Sequence, residues 1–76
     1  MRVVKSKQVK KYIDAQDRPT RERLNAALSR LPVGDVVPIV GLKDTFRVRV
    51  GDFRAIFVKE KDIIRVTVID ARGQIY

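Results

Sequence analysis

The second half of the chain alternates apolar and polar residues with the period of a β-strand. Phe46 to Val50 alternates in this way, and a similar run resumes at Phe53 after only Gly51 and Asp52. A Gly-Asp pair between two such runs predicts a β-hairpin. A further apolar run follows Lys61-Asp62, which predicts a second hairpin turn. The pattern therefore predicts three consecutive antiparallel strands, at 45–50, 53–59 and 63–70.

The first half has helical spacing instead. Ser6 is a suitable N-cap for a helix. Its apolar residues recur at i, i+3 and i+4: Val9, Tyr12 and Ile13. Asp17 and Pro19 suit the start of a second helix, because proline is tolerated in the first turn. This helix is expected to end at Pro32, and its apolar stripe is Leu24, Ala27, Leu28 and Leu31.

These elements predict one α+β domain that spans residues 1–76. The two N-terminal helices are joined so closely that we expect an αα-hairpin, packed on a twisted antiparallel β-sheet. Residues 2–5 suit a short strand. Residues 32–44 contain two prolines and two glycines, so we expect a linking loop, within which Val36 to Val40 lies extended.

The register of the first hairpin places three arginines on one face. If Val50 faces Phe53, then Arg49 faces Arg54, and Arg47 faces Ile56. Like charges directly opposite each other are destabilising in a sheet. A sequence selected only for folding would avoid this pair, so we expect an anion to bind there.

The second turn extends this register to the last strand. With Lys61 and Asp62 as loop residues, Phe57 faces Val66, Ala55 faces Val68 and Arg54 faces Ile69. The predicted core face is Phe46, Val48, Val50, Phe53, Ala55, Phe57, Ile64, Val66 and Val68. The predicted opposite face is Arg47, Arg49, Arg54, Ile56, Val58, Arg65, Thr67 and Ile69. No acidic residue occurs among the second set, which favours an anionic ligand over an ordinary solvated face.

Composition points to the same kind of ligand. The 76 residues include 17 Lys and Arg against 9 Asp and Glu, a formal net charge of +8. Such an excess favours a polyanionic partner, above all nucleic acid or an acidic protein. No apolar run resembles a signal peptide or a membrane span of ~20 residues. With no cysteine in the chain, we expect a cytoplasmic domain without a membrane.

The residue types limit the available chemistry. The chain has no histidine and no carboxylate pair with metal-site spacing, so we expect neither metal nor cofactor. Guanidinium groups remain, and these bind phosphate through two hydrogen bonds and stabilise anionic transition states. RNA carries its own nucleophile, the 2′-hydroxyl. Arginines that position RNA could therefore promote its cleavage without a metal ion.

Two stretches, Leu42–Phe57 and Val66–Tyr76, resemble the RelE/ParE toxin superfamily. The shared features are the hairpin sequence FRVRVGDFR and a closing Arg-x-x-x-Tyr. The resemblance implies the RelE-like microbial RNase fold. It further implies the toxin of a type II toxin–antitoxin system: a ribosome-dependent endoribonuclease, or mRNA interferase, that cleaves mRNA in the A site and inhibits translation.

The resemblance also assigns roles to individual residues. Arg47 and Arg49 match catalytic basic positions on the first hairpin strand, and Arg54 matches the contact to the scissile phosphate. Arg72 matches an arginine that stabilises the transition state or leaving group, and Tyr76 matches a tyrosine that stacks on or orients the base. Two further residues are expected to bind RNA: Lys43 and Arg65. Some relatives have lysines at positions 47 and 49, and arginine is a poor general base by comparison.

The implied partners are an acidic antitoxin protein, the 70S ribosome with its mRNA, and operator DNA bound by a higher-order toxin–antitoxin complex. Two alternatives remain open. A ParE-like protein would inhibit DNA gyrase and cut no RNA. A catalytically degenerate relative would only bind its antitoxin.

Overall fold

The computed structural model describes residues 2–71, which form one five-stranded sheet and two helices. In chain order the elements are β1 (Arg2–Lys5), α1 (Lys7–Asp14), α2 (Arg18–Ser29), β2 (Asp35–Pro38), β3 (Thr45–Val50), β4 (Phe53–Lys59) and β5 (Ile63–Ala71). The expected α+β class is confirmed. No helix in this part of the chain is long and apolar enough to span a membrane.

The sheet has the strand order β1-β5-β4-β3-β2. The three strands predicted from alternation, β3, β4 and β5, pair antiparallel as expected, and β2 extends them antiparallel to β3. The short strand expected at residues 2–5 is present as β1, ahead of the two helices. The expectation of an entirely antiparallel sheet was wrong, because β1 pairs with β5 in parallel. A pairing between the two ends of a chain carries no local turn signal, so its direction could not be read from the sequence.

Both helices begin at the expected capping residues, but α2 ends earlier than expected. Ser6 is the N-cap of α1, and its Oγ accepts a hydrogen bond from the Val9 amide at 3.2 Å. Asp17 is at the N-cap of α2 but makes no side-chain capping bond there. The helix ends at Ser29, earlier than predicted. Leu31 is nevertheless buried, so it fills the core from the segment that follows the helix.

The core lies between the two helices and one face of the sheet. Phe57 is fully buried at its centre, and its ring stacks on Phe46 with 5.3 Å between the ring centroids. The buried residues are Val9, Ile13, Leu24, Leu28, Leu31, Val48, Ala55, Phe57, Ile64, Val66 and Ile69. The core therefore uses the face that alternation predicted for β3 and β4.

Helix α1 covers the edge of β5 where β1 has ended. The Ser6 amide donates to the Val66 carbonyl at 2.9 Å, and the Ser6 hydroxyl donates to the Thr67 carbonyl at 2.9 Å. Farther along, the Gln8 side-chain amide forms two bonds with the Ile69 backbone, at 3.0 and 3.2 Å. The N-cap Ser6 and the Gln8 side chain thus satisfy backbone groups that a neighbouring strand would otherwise satisfy.

The register between β4 and β5 shifts by one residue. Phe57 pairs with Val66 as predicted, but Ile56 pairs with Val68, so Thr67 is an extra residue in β5. The predicted pairs Ala55–Val68 and Arg54–Ile69 are therefore wrong: Ala55 pairs with Ile69, and Arg54 with Asp70. Because side chains alternate, one extra residue exchanges the faces beyond it. Ile69 accordingly takes the core position expected for Val68.

Candidate functional site

The three arginines of the first hairpin lie on the face of the sheet opposite the core, here called the arginine face. Arg49 pairs with Arg54 and Arg47 with Ile56, so this part of the predicted register is confirmed. The turn between the strands begins at Gly51, which has φ = 59°. A positive φ at the first position of a two-residue hairpin loop favours glycine. The tight turn thereby fixes Arg49 and Arg54 directly opposite each other.

An open cleft of about 190 Å³ lies over this part of the arginine face. Its lining consists of Asp35, Val37, Arg47, Arg49 and Arg54. The side chains of Arg47 and Arg54 are half-buried, and the Nε atom of Arg54 is buried. The side chain of Arg49 is 60% exposed. The cleft is thus a surface depression with guanidinium groups from two adjacent strands.

Asp35, which lies on β2 and outside the strands predicted from alternation, forms an ion pair in this cleft. It lies opposite Arg49 on β2, and its Oδ2 is 2.9 Å from Arg49 Nε. The pair is more than half exposed on both sides, so its net contribution to stability is small. Asp35 nevertheless offsets part of the repulsion between Arg49 and Arg54.

A second carboxylate, Asp70, lies opposite Arg54 on the adjacent strand β5, although it does not line the cleft. The extra residue at Thr67 shifts Asp70 onto the arginine face. One row across four strands therefore reads Asp35, Arg49, Arg54 and Asp70. The prediction that the arginine face has no acidic residue was wrong, because it omitted both the strand β2 and this register shift.

Two of the other predicted site residues, Arg65 and Lys43, do not line the cleft. Arg65 pairs with Val58, four residues along β4 from Arg54, which is about 13 Å at the usual rise of a strand. Its guanidinium is bound to Glu60 through two hydrogen bonds of 3.3 Å. Lys43 is exposed in the loop before β3. The next residue, Asp44, accepts a hydrogen bond at its carbonyl from the Lys59 amide, so Lys43 lies at the same end of the sheet as Arg65. Arg72 and Tyr76 lie outside the described residues.

Tyr12 also reaches this end of β5, although its sequence position indicated only a core residue. Its ring packs edge-on against Phe53, with 6.1 Å between the centroids. Burial of the phenol raises the pKa of Tyr12, and the nearby charge and hydrogen bonding of Asp70 raise this pKa further. A helical spacing of apolar residues could not reveal this polar contact, because the partner is 58 positions away along the sequence.

The arrangement can hold a phosphate group but supplies no general base. Opposed guanidiniums can donate hydrogen bonds to phosphate oxygens from both sides of the cleft. Arginine remains protonated at neutral pH, so none of these groups can remove a proton. Within residues 2–71, no three His, Cys, Asp or Glu residues are grouped so as to hold a metal ion.

A chain of the crystal structure of the archaeal RelE–RelB complex from Pyrococcus horikoshii OT3 has a similar fold. The TM-score is 0.76, and 27% of residues are identical over 97% of each chain. No protein-family model matches this sequence, and neither does any curated protein. The similarity supports the RelE-like fold that the hairpin sequence and the closing Arg-x-x-x-Tyr implied.

Proposed function

We propose that this protein is the toxin of a toxin–antitoxin pair and that it cleaves mRNA on the ribosome. The observation that carries the proposal is the pair of directly opposed arginines, Arg49 and Arg54, in a cleft that Arg47 also lines. Folding alone does not favour such a pair, whereas a phosphate between the two guanidiniums would stabilise it. The similarity to a chain of a RelE–RelB complex supports the toxin–antitoxin part of the proposal.

The proposed reaction uses the nucleophile that RNA itself carries. The 2′-oxygen attacks the adjacent phosphorus, the bond from phosphorus to the 5′-oxygen breaks, and a cyclic phosphate and a 5′-hydroxyl result. The 2′-hydroxyl loses its proton to water, and water protonates the leaving 5′-oxygen. Arg47, Arg49 and Arg54 contribute by orienting the phosphate and by stabilising the charge that builds up on its oxygens.

Two residues outside the described range complete the proposed site. Arg72 follows β5 and would stabilise the transition state or the leaving group, and Tyr76 would stack on or orient the substrate base. Lys43 and Arg65, at the other end of the sheet, would contact the RNA backbone beyond the cleaved phosphate. No metal ion or cofactor takes part in the proposed reaction.

The proposed partners follow from charge and from the structural neighbour. A net charge of +8 suits both RNA and an acidic antitoxin. The similar chain from Pyrococcus horikoshii was solved as part of a RelE–RelB complex. We infer that an antitoxin binds and silences this protein in the cytoplasm, that the free protein acts on the 70S ribosome, and that the toxin–antitoxin complex binds operator DNA.

The decisive experiment is an in vitro translation reaction on a defined mRNA, followed by primer extension to map cuts. We expect cuts only on translated message and within A-site codons. Arg54→Ala should lower cleavage on the order of 10²-fold, because it removes a contact to the reacting phosphate. Arg30→Ala is the control for the loss of one arginine charge, because Arg30 is exposed at the C-cap of α2 and does not line the cleft. Equal cleavage by wild type and Arg54→Ala would refute the role of Arg54.

One structural feature favours a second candidate, a module that binds an antitoxin without cleaving RNA. Asp35 and Asp70 each lie opposite an arginine in the same row, which lowers the positive potential available to a phosphate. If no mRNA is cut and a co-expressed acidic antitoxin is still bound tightly, this candidate is favoured. A gyrase supercoiling assay on the same preparation tests the ParE-like alternative, for which inhibition is the diagnostic result.

A further inference from the structure

The two outer strands of the sheet differ in the backbone groups that they present at their edges. These strands are β1 and β2, at opposite ends of the order β1-β5-β4-β3-β2. Every second residue of an edge strand directs its amide and carbonyl away from the sheet, where a strand of another chain can pair with them. The hydrogen bonds that each outer strand already makes identify these residues.

At the edge of β2, the two outward-facing residues offer no backbone donor to an added strand. The Ile39 amide donates to the Thr45 carbonyl at 2.9 Å, so the odd-numbered residues of this stretch face β3. Val36 and Pro38 therefore face outward. The Val36 amide already donates to the Gly34 carbonyl at 3.0 Å, and proline has no amide hydrogen. This edge is thus protected against strand addition.

The edge of β1 presents donors as well as acceptors. β1 is parallel to β5, and the amides of Arg2 and Ser6 donate to carbonyls of β5 and of the turn before it, at 3.2 and 2.9 Å. Since every second residue bonds to the neighbouring strand, Val3 and Lys5 direct their amide and carbonyl groups away from β5. Among the described residues, no further strand lies on this side of β1. Two amides and two carbonyls are therefore placed to pair with an added strand.

The surroundings of β1 favour an acidic partner strand. β1 begins at Arg2 and ends at Lys5. A cleft of about 250 Å³ is lined by residues of β1 and of both helices: Lys5, Lys10, Ile13, Asp14 and Asn25. Two ammonium groups against one carboxylate make this cleft basic. Pairing of β1 with a second copy of itself would instead bring basic residues together, which is unfavourable.

We propose that the free edge of β1 is a docking site for an extended acidic segment of a partner protein, which adds a sixth strand to the sheet. The backbone of the segment pairs with Val3 and Lys5, and one of its carboxylates binds beside Lys5 and Lys10. The proposal rests on the proposed function for the identity of the partner, which is the antitoxin. The arginine cleft is lined by residues of β2, β3 and β4, so the docked segment and an RNA phosphate occupy separate surfaces.

The test is an NMR titration of the isotope-labelled full chain at low ionic strength with a short synthetic peptide that alternates valine and glutamate. We expect the peptide to shift the amide signals of Val3 and Lys5 and to slow their hydrogen exchange, while the Val36 amide signal stays unchanged. The same peptide methylated at every backbone nitrogen keeps its charge but cannot donate hydrogen bonds, so it should bind more weakly. A peptide that alternates valine and lysine should not bind.

Two variants separate the contribution of the backbone from that of charge. Val3→Pro removes one outward-facing donor and no bond to β5, and it should weaken binding of the glutamate peptide about 2- to 12-fold, as expected for one hydrogen bond. Lys5→Gln should weaken it about 1.4- to 5-fold, as expected for one exposed ion pair. Arg30→Gln is the matched control, because it removes one positive charge from an exposed residue that does not line this cleft. Thermal unfolding checks that each variant is folded, and if Val3→Pro is not, the methylated peptide and Lys5→Gln carry the test.

Binding at Val3 and Lys5 that depends on the peptide amides and on the Lys5 charge supports the inference. Equal binding of the methylated peptide overturns strand addition, and shifts confined to β2 overturn the choice of edge. A protein that responds to none of the peptides also overturns the inference. So does a response of the β1 signals to a short RNA oligonucleotide but not to the glutamate peptide, which would make this edge an RNA-binding surface.

The mRNA cleavage assay decides the proposed function separately. Cleavage by a protein that does not bind the glutamate peptide leaves the ribonuclease standing and removes the docking site. Peptide binding at β1 without any cleavage does the reverse, and it agrees with a module that binds an antitoxin only.

Discussion

The Asp35–Arg49 ion pair leads to a prediction with two opposite consequences. Asp35→Asn keeps the shape of the side chain but removes the carboxylate that lies 2.9 Å from Arg49 Nε. Arg49 then faces Arg54 without this compensating charge. The fold should become less stable, while the cleft should bind an anion more tightly.

The exposure of the two side chains sets the size of both effects. Asp35 is 53% exposed and Arg49 is 60% exposed, so water and salt screen their attraction. Two unit charges about 4 Å apart attract by about 1 kcal/mol in water. Measured values for exposed pairs are about 0.2–1 kcal/mol, and we expect the free energy of unfolding to fall by this amount. In Asp35→Asn a phosphate no longer competes with the Asp35 carboxylate for Arg49. The same 0.2–1 kcal/mol then corresponds to a rise in phosphate affinity of about 1.4- to 5-fold.

Urea denaturation and phosphate titration, both at low ionic strength, measure the two effects on one preparation. Repetition at high salt should shrink both, because the interaction is between exposed charges. Asp62→Asn is the control for the change in net charge, since it removes one exposed carboxylate from the turn at the other end of the sheet. If Asp35→Asn weakens phosphate binding, Asp35 is part of the binding site rather than a competitor, and the reasoning fails. A loss of stability that is independent of salt would also contradict an electrostatic origin.

Three further predictions concern the core, the end of the chain and the phenol. Phe57→Ala should lower the free energy of unfolding by roughly 3–5 kcal/mol in urea denaturation, because it empties a fully buried position, whereas Ile56→Ala on the other face should cost less. Arg72→Ala should lower mRNA cleavage on the order of 10²-fold in the translation assay, with a normal Tm. Because the pKa of Tyr12 is raised above 10.0, its contribution to stability should be complete below that pH and lost as the pH rises through the raised pKa. Alkaline unfolding experiments should show this loss in wild type and its absence in Tyr12→Phe.

The first hairpin was predictable because its information is local. A two-residue loop fixes which residues face each other, and alternation fixes which of them point to the core. The pair Arg49–Arg54 followed from these two facts alone. The same logic placed Phe57 opposite Val66, on the near side of the second turn.

The extra residue at Thr67 could not be predicted from turn length and alternation. A single extra residue leaves the alternation of apolar residues almost unchanged, since Val66, Val68 and Ile69 are all apolar. The shifted register is accompanied by the docking of α1, where Gln8 bonds the backbone of Ile69. That contact joins distant parts of the chain and has no signature in a local pattern.

The position of Asp35 beside the arginines was not predicted for a related reason. Its strand has four residues and includes Pro38, so it carries little alternation and reads as part of a loop. Its pairing with β3 brings Asp35 opposite Arg49 and Val37 opposite Arg47. A strand whose partner is separated from it by a proline- and glycine-containing loop gives no turn signal from which a register could be derived.

The charges of the site and those of the whole chain have different roles in the proposed binding of RNA. The row Asp35, Arg49, Arg54 and Asp70 contains as many acids as bases, yet the whole chain carries +8. The excess charge that draws in a polyanion therefore lies largely outside this row, for example on three exposed lysines of α1: Lys7, Lys10 and Lys11. Long-range steering depends on total charge and weakens with salt, whereas discrimination at the phosphate depends on short hydrogen bonds. Changes to the helix lysines should therefore act on encounter with RNA, and changes to the carboxylates of the row should act on how the bound phosphate is held.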